Sequence, residues 1–172
     1  GGSVSNIEVV YHTSNRDYQP GDRVVWLCHA LTANSNPMDW WPEMVGKGCY
    51  IDPEKDYVVC VNIFASPYGT TGPRSAFKAD GGKVSGFQSL KDETAKRETM
   101  KLFNYTEGFT PFDFPKVTVR DMARLFPIVR KYIGIEKVDL LVGSSIGGFQ
   151  ALEWAILEPE VIERAAFIAT AP

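Results

Sequence analysis

Short apolar, β-branched runs recur along the chain at residues 7–11, 23–28, 57–63, 138–142 and 165–169. Runs of this length without polar alternation predict strands covered on both faces, as in a parallel sheet. Between them, apolar positions fall three and four apart, which is the spacing of helices. Over 118–133, Val119, Met122, Phe126, Val129 and Ile133 share one face, with Thr118 as N-cap, Asp121 three residues later and Gly134 as the stop. Pro127 lies inside that segment, and its missing N–H and its ring predict a kink or a break. A second helix over 146–157 aligns Phe149, Leu152 and Ile156, and Pro159 marks where it cannot continue. Strands alternating with helices predict an α/β fold.

Residues 77–113 interrupt the alternation. They contain Gly81-Gly82 and then a Lys- and Glu-rich stretch, 89–103, opened by Ser89 and Asp92 as a capping pair. This predicts an exposed helix within an insertion, with its charges forming a solvated face.

Composition narrows the class. A chain of 172 residues with 44% apolar and 23% charged positions can bury one sizeable core, so 1–172 reads as part of one domain. No stretch approaches the roughly 18 apolar residues that a spanning helix needs, and no charged-then-apolar leader is visible, so the expectation is a cytoplasmic protein away from membranes. Gly1-Gly2-Ser3, without a methionine, reads as a cut or processed start. A net charge of −3 and the lack of a Lys/Arg-rich run leave no footprint for nucleic acid. Cys28, Cys49 and Cys60 are odd in number and widely spaced, which suits reduced thiols. With no CxxC and only His12 and His29, no metal site is expected.

The chemistry lies at 138–148. A buried strand, Val138-Asp139-Leu140-Leu141-Val142, runs into Gly143-Ser144-Ser145-Ile146-Gly147-Gly148 and then into a helix. Gly-x-Ser-x-Gly alone arises by chance in roughly one chain of this length in fifteen to twenty. Between a buried strand and an amphipathic helix it is a nucleophile elbow, in which Gly143 and Gly147 avoid collisions and Ser145 is held exposed and strained. At a helix start, the backbone N–H of Ile146 can receive a developing oxyanion. The loop after the strand ending at Cys28, His29-Ala30-Leu31-Thr32, supplies a second donor, for which Leu31 is the candidate and Thr32 its neighbour. The bland reading assigns His29 to shaping that loop, Trp40-Trp41, Glu153 and Trp154 to packing, and Arg120 and Asp121 to a helix start. Thr70 and Thr71 are weaker candidates for the edge of a pocket.

His29-Ala30-Leu31-Thr32, Asp39-Trp40-Trp41, Asn62, Gly69-Thr70-Thr71-Gly72-Pro73, Phe114-Pro115 with Thr118-Val119-Arg120-Asp121-Met122, and Gly143 to Trp154 together resemble the homoserine O-acetyltransferase family, in that family's order. The resemblance covers nearly the whole chain. It implies an α/β-hydrolase fold with a mostly parallel sheet and flanking helices. It also implies transfer of an acetyl group from acetyl-CoA, a co-substrate and not a bound cofactor, to the hydroxyl of L-homoserine in methionine biosynthesis. Ser145 would carry the acetyl group between the two half-reactions. Ser144 and Ile146 stand where family members commonly have glycine and methionine, and 77–113 is longer than the usual link.

In this fold the triad runs Ser, then Asp or Glu, then His, which puts both partners after residue 172. The chain is therefore expected to be nearly inactive alone, and its last strand to present an open edge that self-associates or takes up a carboxy-terminal segment. Two other readings stay open: an esterase or sibling serine or homoserine acyltransferase, and a short non-catalytic binding protein that keeps the elbow as structure.

Overall fold

The computed structural model describes residues 7–73, 95–102 and 114–170. The elements follow in the order β1 (Ile7–Ser14), β2 (Val24–Cys28), α1 (Pro37–Trp40), β3 (Tyr57–Val61), β4 (Ala95–Leu102), α2 (Val119–Ala123), α3 (Leu125–Ile133), β5 (Leu140–Ser144), α4 (Ile146–Leu157) and β6 (Ala165–Ile168). The strands form one sheet in the order β4-β1-β3-β2-β5-β6. Strands β3, β2, β5 and β6 run parallel, and β1 and β4 add antiparallel pairs on one side.

Strands β2, β3 and β5 are apolar without alternation because both faces are covered, whereas β6, expected to be covered in the same way, is exposed at Phe167 and Ile168. In β2, Val24, Trp26 and Cys28 join the larger core with Phe126, Val129, Leu141 and Trp154, while Val25 and Leu27 face a second cluster with Val45, Ile51, Val58 and Cys60. Three aromatic rings form the centre of the larger core. The Trp26 and Trp154 centroids lie 4.7 Å apart in an edge-on arrangement, with Phe126 at 5.8 Å and 5.3 Å from them. Trp154 also donates its indole N–H to Glu158 at 3.0 Å, so it joins packing to a polar anchor. Trp154→Ala should cost about 3–5 kcal/mol, since the void would open between two elements already fixed by the sheet. A urea midpoint compared with the parent protein measures it.

Three local expectations are corrected. The helix expected over 118–133 is two helices that part at Arg124, upstream of Pro127. The break falls there because Pro127 then occupies the third position of α3, where a helix has no intrahelical use for the N–H that proline lacks. Thr118 and Asp121 form the expected capping box, and Gly134 ends α3 in a left-handed conformation at φ 89°.

The helix expected over 89–103 is contradicted where the chain is described: Ala95–Leu102 is a strand, paired antiparallel along all of β1. The open edge of β1 offers a row of backbone donors and acceptors, and that long-range pairing overrides the local helical preference of Lys- and Glu-rich sequence. The remainder of 77–113, and the Ser89/Asp92 pair, lie outside the described residues. Finally, the expected strand 138–142 begins at Leu140 and runs to Ser144, Val138 making only an isolated bridge to Ile162.

Candidate active site

Strand β5 delivers the chain to Ser145, whose φ of 53° and ψ of −122° lie in a region that L-residues rarely occupy. Such a conformation costs about 1–3 kcal/mol and persists only where the surroundings over-determine it. Here they do. A Cβ on Gly143 would lie 2.7 Å from the Gly148 Cα, and one on Gly147 would lie 2.6 Å from the carbonyl carbon of Cys28 and from the carbonyl oxygen of His29. These distances are well inside van der Waals contact with backbone that cannot move aside, so both positions require glycine. The strand-turn-helix expected from the sequence is present, with Ser145 exposed and α4 spanning the predicted Ile146–Leu157, but the face of Phe149 and Ile156 is exposed and it is Ala151 and Trp154 that α4 buries.

The contact made by Gly147 also places the start of α4 against the end of β2 and the start of the following loop. That is the loop from which the sequence predicts a second oxyanion donor. Residues 30–33 form a turn closed by the Ala33 N–H on the Ala30 carbonyl at 3.0 Å, a bond that uses the amide of neither Leu31 nor Thr32. Leu31 is exposed, its side chain lying outside the core. At the other half of the site, the N–H of Ile146 belongs to the first turn of α4, where amides have no intrahelical partner.

His29 is fully buried and acts as a strut for this loop. Its Nδ1 lies 2.8 Å from the Ala30 carbonyl, and the Ile63 N–H donates to its Nε2 at 3.2 Å. The second bond requires a lone pair on Nε2, so Nδ1 carries the proton and the ring is neutral. Burial holds its pKa down from 6.5 to about 4. The unfolded chain takes up a proton below pH 6.5 that the folded chain refuses until about pH 4. Stability is thus complete above pH 6.5 and should fall across that window by about 3 kcal/mol. His29→Asn should flatten this dependence in urea titrations between pH 4.5 and 7.

The weaker candidates are structural. Thr70 and Thr71 are buried, and their hydroxyls accept the β1 N–H groups of Val10 at 3.0 Å and Glu8 at 2.7 Å. They continue the pairing of β1 beyond β3. Trp40 and Trp41 stack on each other at 5.4 Å against the smaller core. Arg120 does more than serve a helix start, since its Nε donates to Glu153 on α4 at 2.7 Å. His12 is buried with Nδ1 2.8 Å from the Ser35 hydroxyl. All three cysteines are free, and burial pushes the Cys28 and Cys60 thiols above the ordinary range. Among the described residues, no helix is long and apolar enough to cross a membrane.

Sequence reasoning missed one residue at the elbow. Thr170 donates its hydroxyl to the carbonyl of Ser145 at 3.0 Å, and Ser145 donates its own N–H to the Ile168 carbonyl at the same distance. Nothing in local sequence pairs positions 25 residues apart.

A buried parallel strand that turns through an exposed, strained serine into a helix is the strand-turn-helix of the α/β-hydrolase plan. The family model for the alpha/beta hydrolase fold matches residues 23–172, and the chain belongs to that family. Within it, the similarity expected from the motifs is found. Homoserine O-acetyltransferase of Chlorobium luteolum is 35% identical over 161 residues, covering 94% of this chain and 38% of the relative. The crystal structure of homoserine O-acetyltransferase from Bacillus anthracis superposes with a TM-score of 0.68 at 25% identity, over 95% of this chain and 41% of that one. Esterase E22 superposes equally well, at 0.68 and 25%, over 96% of this chain and 42% of the esterase. The chain thus spans about two fifths of the length of the proteins it matches.

Proposed function

We propose that this chain carries the nucleophile of an acyltransferase that moves an acetyl group from acetyl-CoA to the side-chain hydroxyl of L-homoserine. The observation that carries the reading is the conformation of Ser145, exposed at a strained strand-to-helix turn between two obligatory glycines. Similarity to homoserine O-acetyltransferases over nearly the whole chain supports the choice of donor and acceptor.

In the first half-reaction the Ser145 Oγ attacks the thioester carbonyl. The developing oxyanion is received by the backbone N–H groups of Leu31 and Ile146, the C–S bond breaks, and CoA leaves as the thiol with the serine's proton. In the second, the hydroxyl oxygen of homoserine attacks the acetyl-serine, the ester bond to Oγ breaks, and the homoserine proton returns to Ser145. Both halves need a base. His29 is poorly suited, because its Nε2 lone pair is occupied by the Ile63 N–H and burial lowers the basicity of the ring. We place the base and its orienting acid in sequence following these 172 residues, in keeping with relatives of which the chain spans 38%. The same following segment is the proposed cover for β6, where Phe167 and Ile168 are exposed.

The test is intact mass and thiol release on the product of the full reading frame and on the 172-residue chain. Acetyl-CoA alone should add one acetyl group to the longer product, and L-homoserine should remove it. An esterase reading is favoured by the equal superposition of esterase E22. It predicts that water discharges the acetyl-enzyme as fast with homoserine absent as with it present.

A further inference from the structure

We propose that Thr170 is a positioning residue whose hydroxyl aims the oxyanion donor at Ile146 by holding the carbonyl of Ser145. The proposal rests on the reading of Ser145 as nucleophile.

The Thr170 Oγ lies 3.0 Å from the Ser145 carbonyl oxygen and 3.2 Å from that of Ile168. Both neighbours are acceptors only, so the hydroxyl is the donor, and its one proton goes to the Ser145 carbonyl, the shorter of the two contacts. The Ser145 N–H is bonded to the same Ile168 carbonyl at 3.0 Å. Both backbone polar groups of the nucleophile are therefore tied to residues 168–170. Between these ties stands Ala169, a non-glycine residue that, like Ser145, has a positive φ, here 49°. The threonine is seated against the first turn of α4, where a Cβ on Gly148 would lie 2.8 Å from the Thr170 Cβ.

The consequence follows from peptide geometry. The carbonyl of Ser145 and the N–H of Ile146 belong to one rigid trans peptide, in which the two bonds point in opposite directions. A donor that fixes the carbonyl on the Thr170 side fixes the Ile146 N–H on the other. The Gly148 and Phe149 N–H groups also reach the Ser145 carbonyl, at 2.9 Å and 3.4 Å, from within α4, so the Thr170 hydroxyl is the donor that reaches it from outside the helix. An oxyanion donor is effective only when already aimed before charge develops.

The experiment compares Thr170→Val, which keeps the shape and removes the donor, with Thr170→Ser, which keeps the donor. Both are made in the product of the full reading frame and read by the burst of Ser145 acetylation and by steady-state turnover. The valine variant should lose about 10- to 100-fold in kcat with KM unchanged, the signature of an interaction made in the transition state. The serine variant should recover to within about threefold of the parent. Should the valine variant fail to fold, Thr170→Ala is read in its place, since the side chain is only partly buried. Parental kcat in the variants lacking the hydroxyl, or equal loss in the serine variant, overturns the proposal. An unreactive Ser145 in the parent overturns it together with the reading on which it rests.

Discussion

Ser145→Ala is expected to lower acetyl transfer by about a millionfold in the product of the full reading frame, the scale on which removing a triad nucleophile acts. The acetyl-enzyme should vanish from the mass spectrum at the same time. Binding of acetyl-CoA should persist, because the backbone donors that would receive the thioester carbonyl belong to Leu31 and Ile146 and remain. Ser145→Gly separates the chemical role from the conformational one. At φ 53° and ψ −122° glycine is at ease where serine is strained, so this variant should be equally inactive yet more stable by about 1 kcal/mol. A rise in melting temperature with complete loss of turnover would locate stored strain at the nucleophile itself. Retained turnover in either variant would place the nucleophile elsewhere.

Gly147→Ala should have the second-largest effect. The added methyl would sit 2.6 Å from backbone atoms of both Cys28 and His29, and neither can yield, since Cys28 closes the β2–β5 ladder and His29 is pinned through both ring nitrogens. Either α4 lifts away from the end of β2 or the loop carrying Leu31 shifts, and in both cases the two donors part. Overpacking of this kind costs about 1–3 kcal/mol of stability. A displacement near 1 Å in an active site costs about a hundredfold in rate. Turnover below about 1% with a lowered melting temperature is the expected result. Full activity would mean that α4 and the loop at 29–32 do not meet.

What could be read from the sequence depended on how local each constraint is. The elbow was legible because its demands fall on adjacent residues: two glycines, a serine between them, a buried strand before and a helix after. The capping box and the left-handed stop at Gly134 were legible for the same reason. Pro127 announced a break but not its place, which was set by the position at which a missing N–H does no harm. Strand β4 was misread because its pairing partner, β1, lies some 90 residues away in sequence, as the match of Ile7 with Leu102 shows. Thr170 went unnoticed because its role exists only once β6 lies beside β5. The places of the two histidines were not legible either, since the partners that hold them, Ile63 for His29 and Ser35 for His12, lie 34 and 23 residues away.

The aromatic centre of the larger core has a spectroscopic consequence. Trp26 and Trp154 are fully buried with their rings 4.7 Å apart, close enough for their excited states to couple. Trp40 and Trp41 form a second close pair, but one that is only half buried on the other side of the sheet. The four indoles therefore sort into two populations, one emitting from an apolar interior and closed to acrylamide, the other open to it. The shielded pair spans β2 and α4, the two elements whose contact sets the elbow. Its emission gives a label-free optical gauge of the turn at Ser145, readable without substrate.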